Sequence, residues 1–254
     1  MWKKLRILIL LFILATVALS AWRGQARARD WHNTVQVAIF PINGDGSAAA
    51  AKRIAGLTDD SFRDIEEFFV EQAHAHGVQE THPLRVSLQP ALSSLPPSPP
   101  RGGSALDILL WSLQLRWWAW QQPDGKPRAS VRAFVIYWDS TQTDGRIPDS
   151  HGIAKGQIAI SNVHAQQDMQ RTNNVVITHE ILHTMAASDK YGPDLMPHFP
   201  DGFAEPDANP RYPQRLCEIM AGRIPLSESK LEMPYALKDC VIGPATAREI
   251  GMTH

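Results

Sequence analysis

The segment from Val175 to Met185 constrains this chain more than any other. It reads Val-Val-Ile-Thr-His-Glu-Ile-Leu-His-Thr-Met, an apolar run broken by two histidines and a glutamate. Val175, Val176, Ile177, Ile181, Leu182 and Met185 favour a buried helix, and such a helix rarely carries these polar groups unless they have partners. At about 100° per residue, His179 and His183 lie about 40° apart on one helical face. Both imidazoles can then reach one metal ion. Glu180 sits on the shoulder of that face, in reach of a water activated there.

Beyond His183 the chain continues Thr-Met-Ala-Ala-Ser-Asp, which places Asp189 ten residues after His179. The pattern HExxHxxAxxD resembles the long zinc motif HExxHxxGxxH of the metzincin metallopeptidases, where aspartate is the last ligand in some members, the snapalysins. The motifs cover roughly residues 155–225, and the earlier chain joins the resemblance through the order of its elements. The resemblance implies an α+β fold with a mixed twisted sheet, an active-site helix and a loop-rich C-terminal part. It implies one Zn²⁺ held by His179, His183 and Asp189, with Glu180 as the catalytic base. In that family the helix stops at the motif glycine. Here Ala186 takes its place, and alanine enters a left-handed turn at greater cost than glycine. Ser188 and Asp189 favour a turn through side-chain hydrogen bonds. The family also has a methionine turn beneath the metal, matched here by Glu218-Ile219-Met220-Ala221-Gly222 with Met220 as its methionine. Family members often have a tyrosine two residues later, and this chain has Gly222 there, so that tyrosine is not carried over.

The remaining patterns supply a sheet. Thr34–Ile42 alternates as a strand, and Asn43-Gly44-Asp45-Gly46 is a turn. Thr58 caps a helix running to about His76 that buries Phe62, Ile65, Phe69 and Val70. Leu84, Val86 and Leu88 alternate as a second strand. The proline-rich stretch 93–103 reads as a surface loop, after which Ser104 caps a helix through Leu113. Past that point, Leu115, Trp117 and Ala119 alternate before Pro123-Asp124-Gly125, which leaves a hairpin open. Trp111, Trp117, Trp118 and Trp120 suit a core or a membrane interface. Val131–Trp138 and Gln157–Val163 are strands, the motif helix spans about 168–186, and a last helix spans about 244–251. In the resemblance, the strand before the motif helix rims the cleft and can accept an extended peptide by strand addition. His74 and His76 suit a helix end, while His151 and His164 flank a strand.

With 254 residues and 44% hydrophobic content the chain can fill one sizeable core, and its net charge of −1 gives no reason to expect nucleic acid as a partner. The N-terminus stands apart. Lys3, Lys4 and Arg6 precede an apolar run from Ile7 to Trp22, interrupted only by Thr16 and Ser20. Residues 1–29 therefore read as a signal peptide or an uncleaved membrane anchor, and residues 30–254 as the catalytic domain, placed outside the cytoplasm. In an oxidising compartment the even cysteine count favours a Cys217–Cys240 disulfide.

The expected activity is zinc-dependent hydrolysis of peptide bonds, with a peptide or protein as substrate. Other readings stay open: a thermolysin-like site with Glu205 or Glu218 as third ligand, a non-catalytic zinc-stabilised envelope protein, and a membrane-held adapter with an incidental motif.

Overall fold

The computed structural model describes residues 26–253 apart from 101, 103, 143–144 and 154–155, with scattered positions among the first 25. Its centre is a five-stranded sheet built from β1 (Val35–Asn43), β2 (Leu84–Leu88), β3 (Val131–Trp138), β4 (His151–Ile153) and β5 (Ile158–His164), in the order β2-β1-β3-β5-β4. Strands β2, β1, β3 and β5 are parallel, and β4 runs antiparallel along β5 with His151 opposite Ile160. The helices are α1 (Ala48–Ala55), α2 (Arg63–Ala75), α3 (Ala105–Gln121), α4 (Gln170–Thr184) and α5 (Pro244–Glu249). This is a mixed α+β architecture.

Parallel strands need crossovers, and the crossovers cover both faces of the sheet. Val35, Val37 and Ile39 of β1 join one core with Phe62, Ile65 and Phe69 and with Ile177 and Ile181 of α4. Ala38, Phe40 and Ile42 of the same strand face the other way and meet Leu115 and Ala119 of α3. Both registers of β1 are thus apolar, as a strand covered on both sides requires. In α2 the expected Val70 is only half-buried, and Phe68 takes the inward place at 4% exposure.

Several expectations need correction. The segment 115–121 continues α3 and forms no hairpin, because Leu115 and Ala119, one turn apart, both pack on the sheet. The strand before the motif helix is not the rim. β5 lies inside the sheet, and β4 takes the edge. Three residues, His-Gly-Ile, are too short to carry an alternation signal. The Cys217–Cys240 disulfide is not formed: both cysteines are free, buried thiols. They are register partners on the short parallel strands β6 (Cys217–Glu218) and β7 (Cys240–Val241). Their Sγ atoms hydrogen-bond the carbonyls of Glu218 and Ala236. Burial, then the adjacent Cys240 thiol, pushes the Cys217 thiol well up, which makes it a poor thiolate for exchange.

The expected N-terminal anchor or signal lies largely outside the described residues. Among the described residues no helix is long and apolar enough to cross a membrane. The folded body begins slightly before residue 30: Ala28 is fully buried, and Trp31 donates from Nε1 to the carbonyl of Ile250 at 2.8 Å.

Candidate metal centre

Helix α4 is held to the sheet by its polar residues. Asn173 accepts from the His164 N–H at the end of β5 (3.1 Å) and donates to the His164 carbonyl (2.8 Å). Asn174 donates to the Ser61 carbonyl and to Asp64, which fixes the opposite flank. Thr178, fully buried, returns its hydroxyl to the Asn174 carbonyl at 2.7 Å. These bonds let a helix with ten buried residues, several of them polar, sit in the core without orphaned groups along its first turns.

The helix ends in a Schellman motif. The Ala187 N–H bonds the Leu182 carbonyl at 3.1 Å, and the Ala186 N–H bonds the His183 carbonyl at 3.0 Å. Ala186 adopts φ 75°, the left-handed conformation usually left to glycine. The turn forms with alanine because the segment after it, from Ser188 to Lys190, is anchored. Glu249 of α5 accepts from the Ser188 N–H (2.8 Å), the Ser188 hydroxyl (2.7 Å) and Lys190 Nζ (2.7 Å). The Lys190 N–H in turn bonds the Met220 carbonyl at 3.0 Å.

Between these anchors Asp189 swings back to the helix. Its Oδ1 lies 3.2 Å from His179 Nε2 and 3.2 Å from His183 Nε2. Ligands about 2 Å from one tetrahedral ion stand about 3–4 Å apart, so the three donors match a single metal. The rest of each ring is committed. His179 Nδ1 contacts the Ile219 carbonyl at 2.9 Å, and His183 Nδ1 contacts the Ala187 carbonyl at 2.9 Å. With Nδ1 donating to these carbonyls, each Nε2 faces Asp189: it donates to that carboxylate when the ring is protonated and offers its lone pair to a metal when the ring is neutral. The candidate metal-binding group is therefore His179, His183 and Asp189.

Met220 is fully buried in a turn beside the candidate ligands. The carbonyl before it holds His179, and its own holds the segment after Asp189. The turn is closed by Glu218, whose backbone carbonyl accepts from the Ala221 and Gly222 N–H groups. The Glu218 carboxylate is spent internally on the Ala221 N–H, the Gly243 N–H and the Thr246 hydroxyl. Glu205 is paired with Arg215 and accepts its backbone N–H at 3.2 Å. Neither glutamate belongs to the metal-binding group.

Glu180 is 5% exposed, and its Oε2 is buried without a hydrogen-bond partner. Burial pushes its carboxyl up to about 7, against the pull of His179 and His183. Burial also lowers the His183 imidazole, but the hydrogen bond to Asp189 and the charge of Glu180 outweigh it and raise the pKa. For Asp189 burial is the largest influence and is upward, yet its bonds and attraction to both histidines together hold it far below the usual carboxylate range. Glu180 and His179 line a cleft of about 640 Å³ together with Asn162, His164, Tyr191 and Arg223.

Two contributors were not read from the sequence. Tyr191 follows Asp189 by two residues and lines the same cleft as Glu180; burial, then the Asp189 charge, pushes its phenol up to about 12. A tyrosine beside a motif ligand is a signal that could have been noticed. Gly152 of β4 lies against α4 so closely that a Cβ there would stand 2.3 Å from His183 Cβ and 2.8 Å from the Glu180 carbonyl. No protein-family model matches this sequence, and no curated protein matches it.

Proposed function

We propose that this chain is a zinc-dependent peptidase resembling the metzincins and acting outside the cytoplasm. The observation that carries the reading is the convergence of His179 Nε2 and His183 Nε2 on one oxygen of Asp189, 3.2 Å each, beside a buried and unpartnered Glu180 oxygen. The order of strands and helices and the turn around Met220 support the same family. When bound, zinc supplies Lewis acidity, which lowers the pKa of a water and polarises a carbonyl. Glu180 takes the proton of the attacking water on its carboxylate and gives it to the departing amine. Its buried position and its oxygen without a hydrogen-bond partner leave Glu180 available for both halves of that exchange. Ile219 and Ala187 hold the imidazoles in the ligating tautomer through their carbonyls. The outer edge of β4 receives the substrate peptide in extended form.

The test pairs two variants with one control. Glu180→Gln is expected to keep stoichiometric zinc and lose turnover of a general peptide library by at least about a hundredfold. Asp189→Ala is expected to lose zinc affinity by orders of magnitude, with Glu205→Ala unchanged. Wild-type turnover in Glu180→Gln removes the base. Zinc loss in Glu205→Ala but not Asp189→Ala replaces this reading with the thermolysin-like one.

A further inference from the structure

Helix α3 has two apolar faces. Leu115 and Ala119 are fully buried on the sheet, with Trp111 and Trp118 packed beside them. On the opposite side Leu106, Leu109, Leu110, Leu113, Trp117 and Trp120 are each 49–70% exposed. At about 100° per residue these six fall in a stripe about 100° wide, centred roughly opposite Leu115. Asp107 and Gln114 flank the stripe on one side, and Ser112 and Arg116 on the other. Single exposed leucines are ordinary, but a contiguous stripe running most of the length of a 17-residue helix is a contact surface. The exposed tryptophans Trp117 and Trp120 stack with centroids 5.1 Å apart.

The N-terminal segment enters the fold near the loop that follows this helix. The loop 122–130 that leaves α3 borders the point where the N-terminal segment enters: Arg23 and Arg27 share a cavity with Asp124, Arg128 and Arg132. Ahead of Arg23 the sequence is the apolar run from Ile7 to Trp22, behind Lys3, Lys4 and Arg6. Arg23, Arg27 and Arg128 are exposed at this junction. An apolar run in the sequence, a cluster of arginines where it enters the fold and an exposed apolar helix with paired tryptophans that ends at the same loop thus occur together. Tryptophan and cationic side chains of this kind favour the boundary between acyl chains and anionic headgroups.

We propose that the outer stripe of α3 lies in the surface of a lipid bilayer that contains anionic phospholipid. The helix rests in the plane of the membrane, Trp117 and Trp120 sit at headgroup depth, and Arg23, Arg27 and Arg128 meet phosphate groups. This inference stands independently of the peptidase reading.

The test uses the full chain reconstituted in vesicles of phosphatidylcholine and phosphatidylglycerol at a ratio of about three to one. Leu113→Cys, labelled with an environment-sensitive fluorophore, reports on the stripe. Cys217 and Cys240 are buried and stay unlabelled. Glu71→Cys, exposed on α2 across the sheet, is the reference. The label at 113 is expected to be quenched at least twofold by spin-labelled acyl chains and shielded from aqueous iodide, while the label at 71 shows the reverse. Iodide access at 113 equal to that at 71 overturns the proposal. So does shielding at 113 without quenching by acyl chains, which would mean that a protein, another copy included, covers the stripe.

Discussion

Ala186 holds the φ of 75° on which the third donor depends. An L-residue there costs roughly 1–2 kcal/mol, while glycine adds unfolded-state entropy worth about 0.5–1 kcal/mol. Ala186→Gly is therefore expected to raise stability by about 0.5–1 kcal/mol, read as a higher midpoint in urea; a lower midpoint would mean that the alanine methyl packs productively. Glu180 gives a pH test in metal-free protein. Its folded pKa of about 7 lies above the 4.5 of an unconstrained glutamate, so the folded state binds more protons between those values. Its contribution is fully present below 4.5 and is lost as pH rises through 7. With chelator present, wild type should lose stability against Glu180→Gln between about pH 5 and about pH 8, on the order of 2–3 kcal/mol. A difference that stays constant with pH would remove burial as the cause.

At the scale of elements, α5 acts on the site through Glu249. Although burial opposes it, pairing with Lys190 and Ser188 holds the Glu249 carboxyl below its ordinary value. That stabilisation is present above pH 4.5, the unfolded value, and is lost as pH falls through the folded one. Glu249→Ala removes three hydrogen bonds around Asp189 and leaves buried Lys190 without its carboxylate. Zinc affinity should fall about 10- to 100-fold with α4 intact, as titration against a chelator would measure; unchanged affinity would show that the loop holds itself. At β4, Gly152→Val must push the strand away from His183. Turnover should be lost while the far-ultraviolet circular dichroism is kept, and an active Gly152→Val would place the substrate edge elsewhere. These elements differ in how legible they were. Long strands such as Val131–Trp138 announce themselves by composition, and the motif helix by two histidines at one turn's spacing. β4 is three residues long, and its role comes from position alone. Glu249 is 60 residues past Asp189, and no local pattern links the two. The outward stripe of α3 was readable as hydrophobic, but which of its two apolar faces meets the sheet is decided only by packing.

The whole molecule gathers its donors from distant parts of the chain. The imidazoles come from α4, the carbonyl that orients His179 comes from Ile219, and the clamp on Ser188 and Lys190 comes from Glu249. The paired thiols of Cys217 and Cys240 lie between these last two, joining the turn around Met220 to the strand that leads into α5. Oxidation would cross-link that joint, closing a loop of about 23 residues, and is expected to add about 3 kcal/mol by the chain-entropy account. Comparing denaturation before and after mild oxidation checks this; destabilisation would mean that the packed thiols cannot meet without distortion.

The clamp by Glu249 also has a consequence for biogenesis. A ribosome makes His179 and His183 many residues before it makes Glu249. Until α5 has emerged and docked, the segment around Asp189 lacks the three hydrogen bonds that Glu249 accepts from Ser188 and Lys190. On the proposed reading, the third donor takes its place only after α5 has docked, so the order of synthesis is also the order in which the site is assembled.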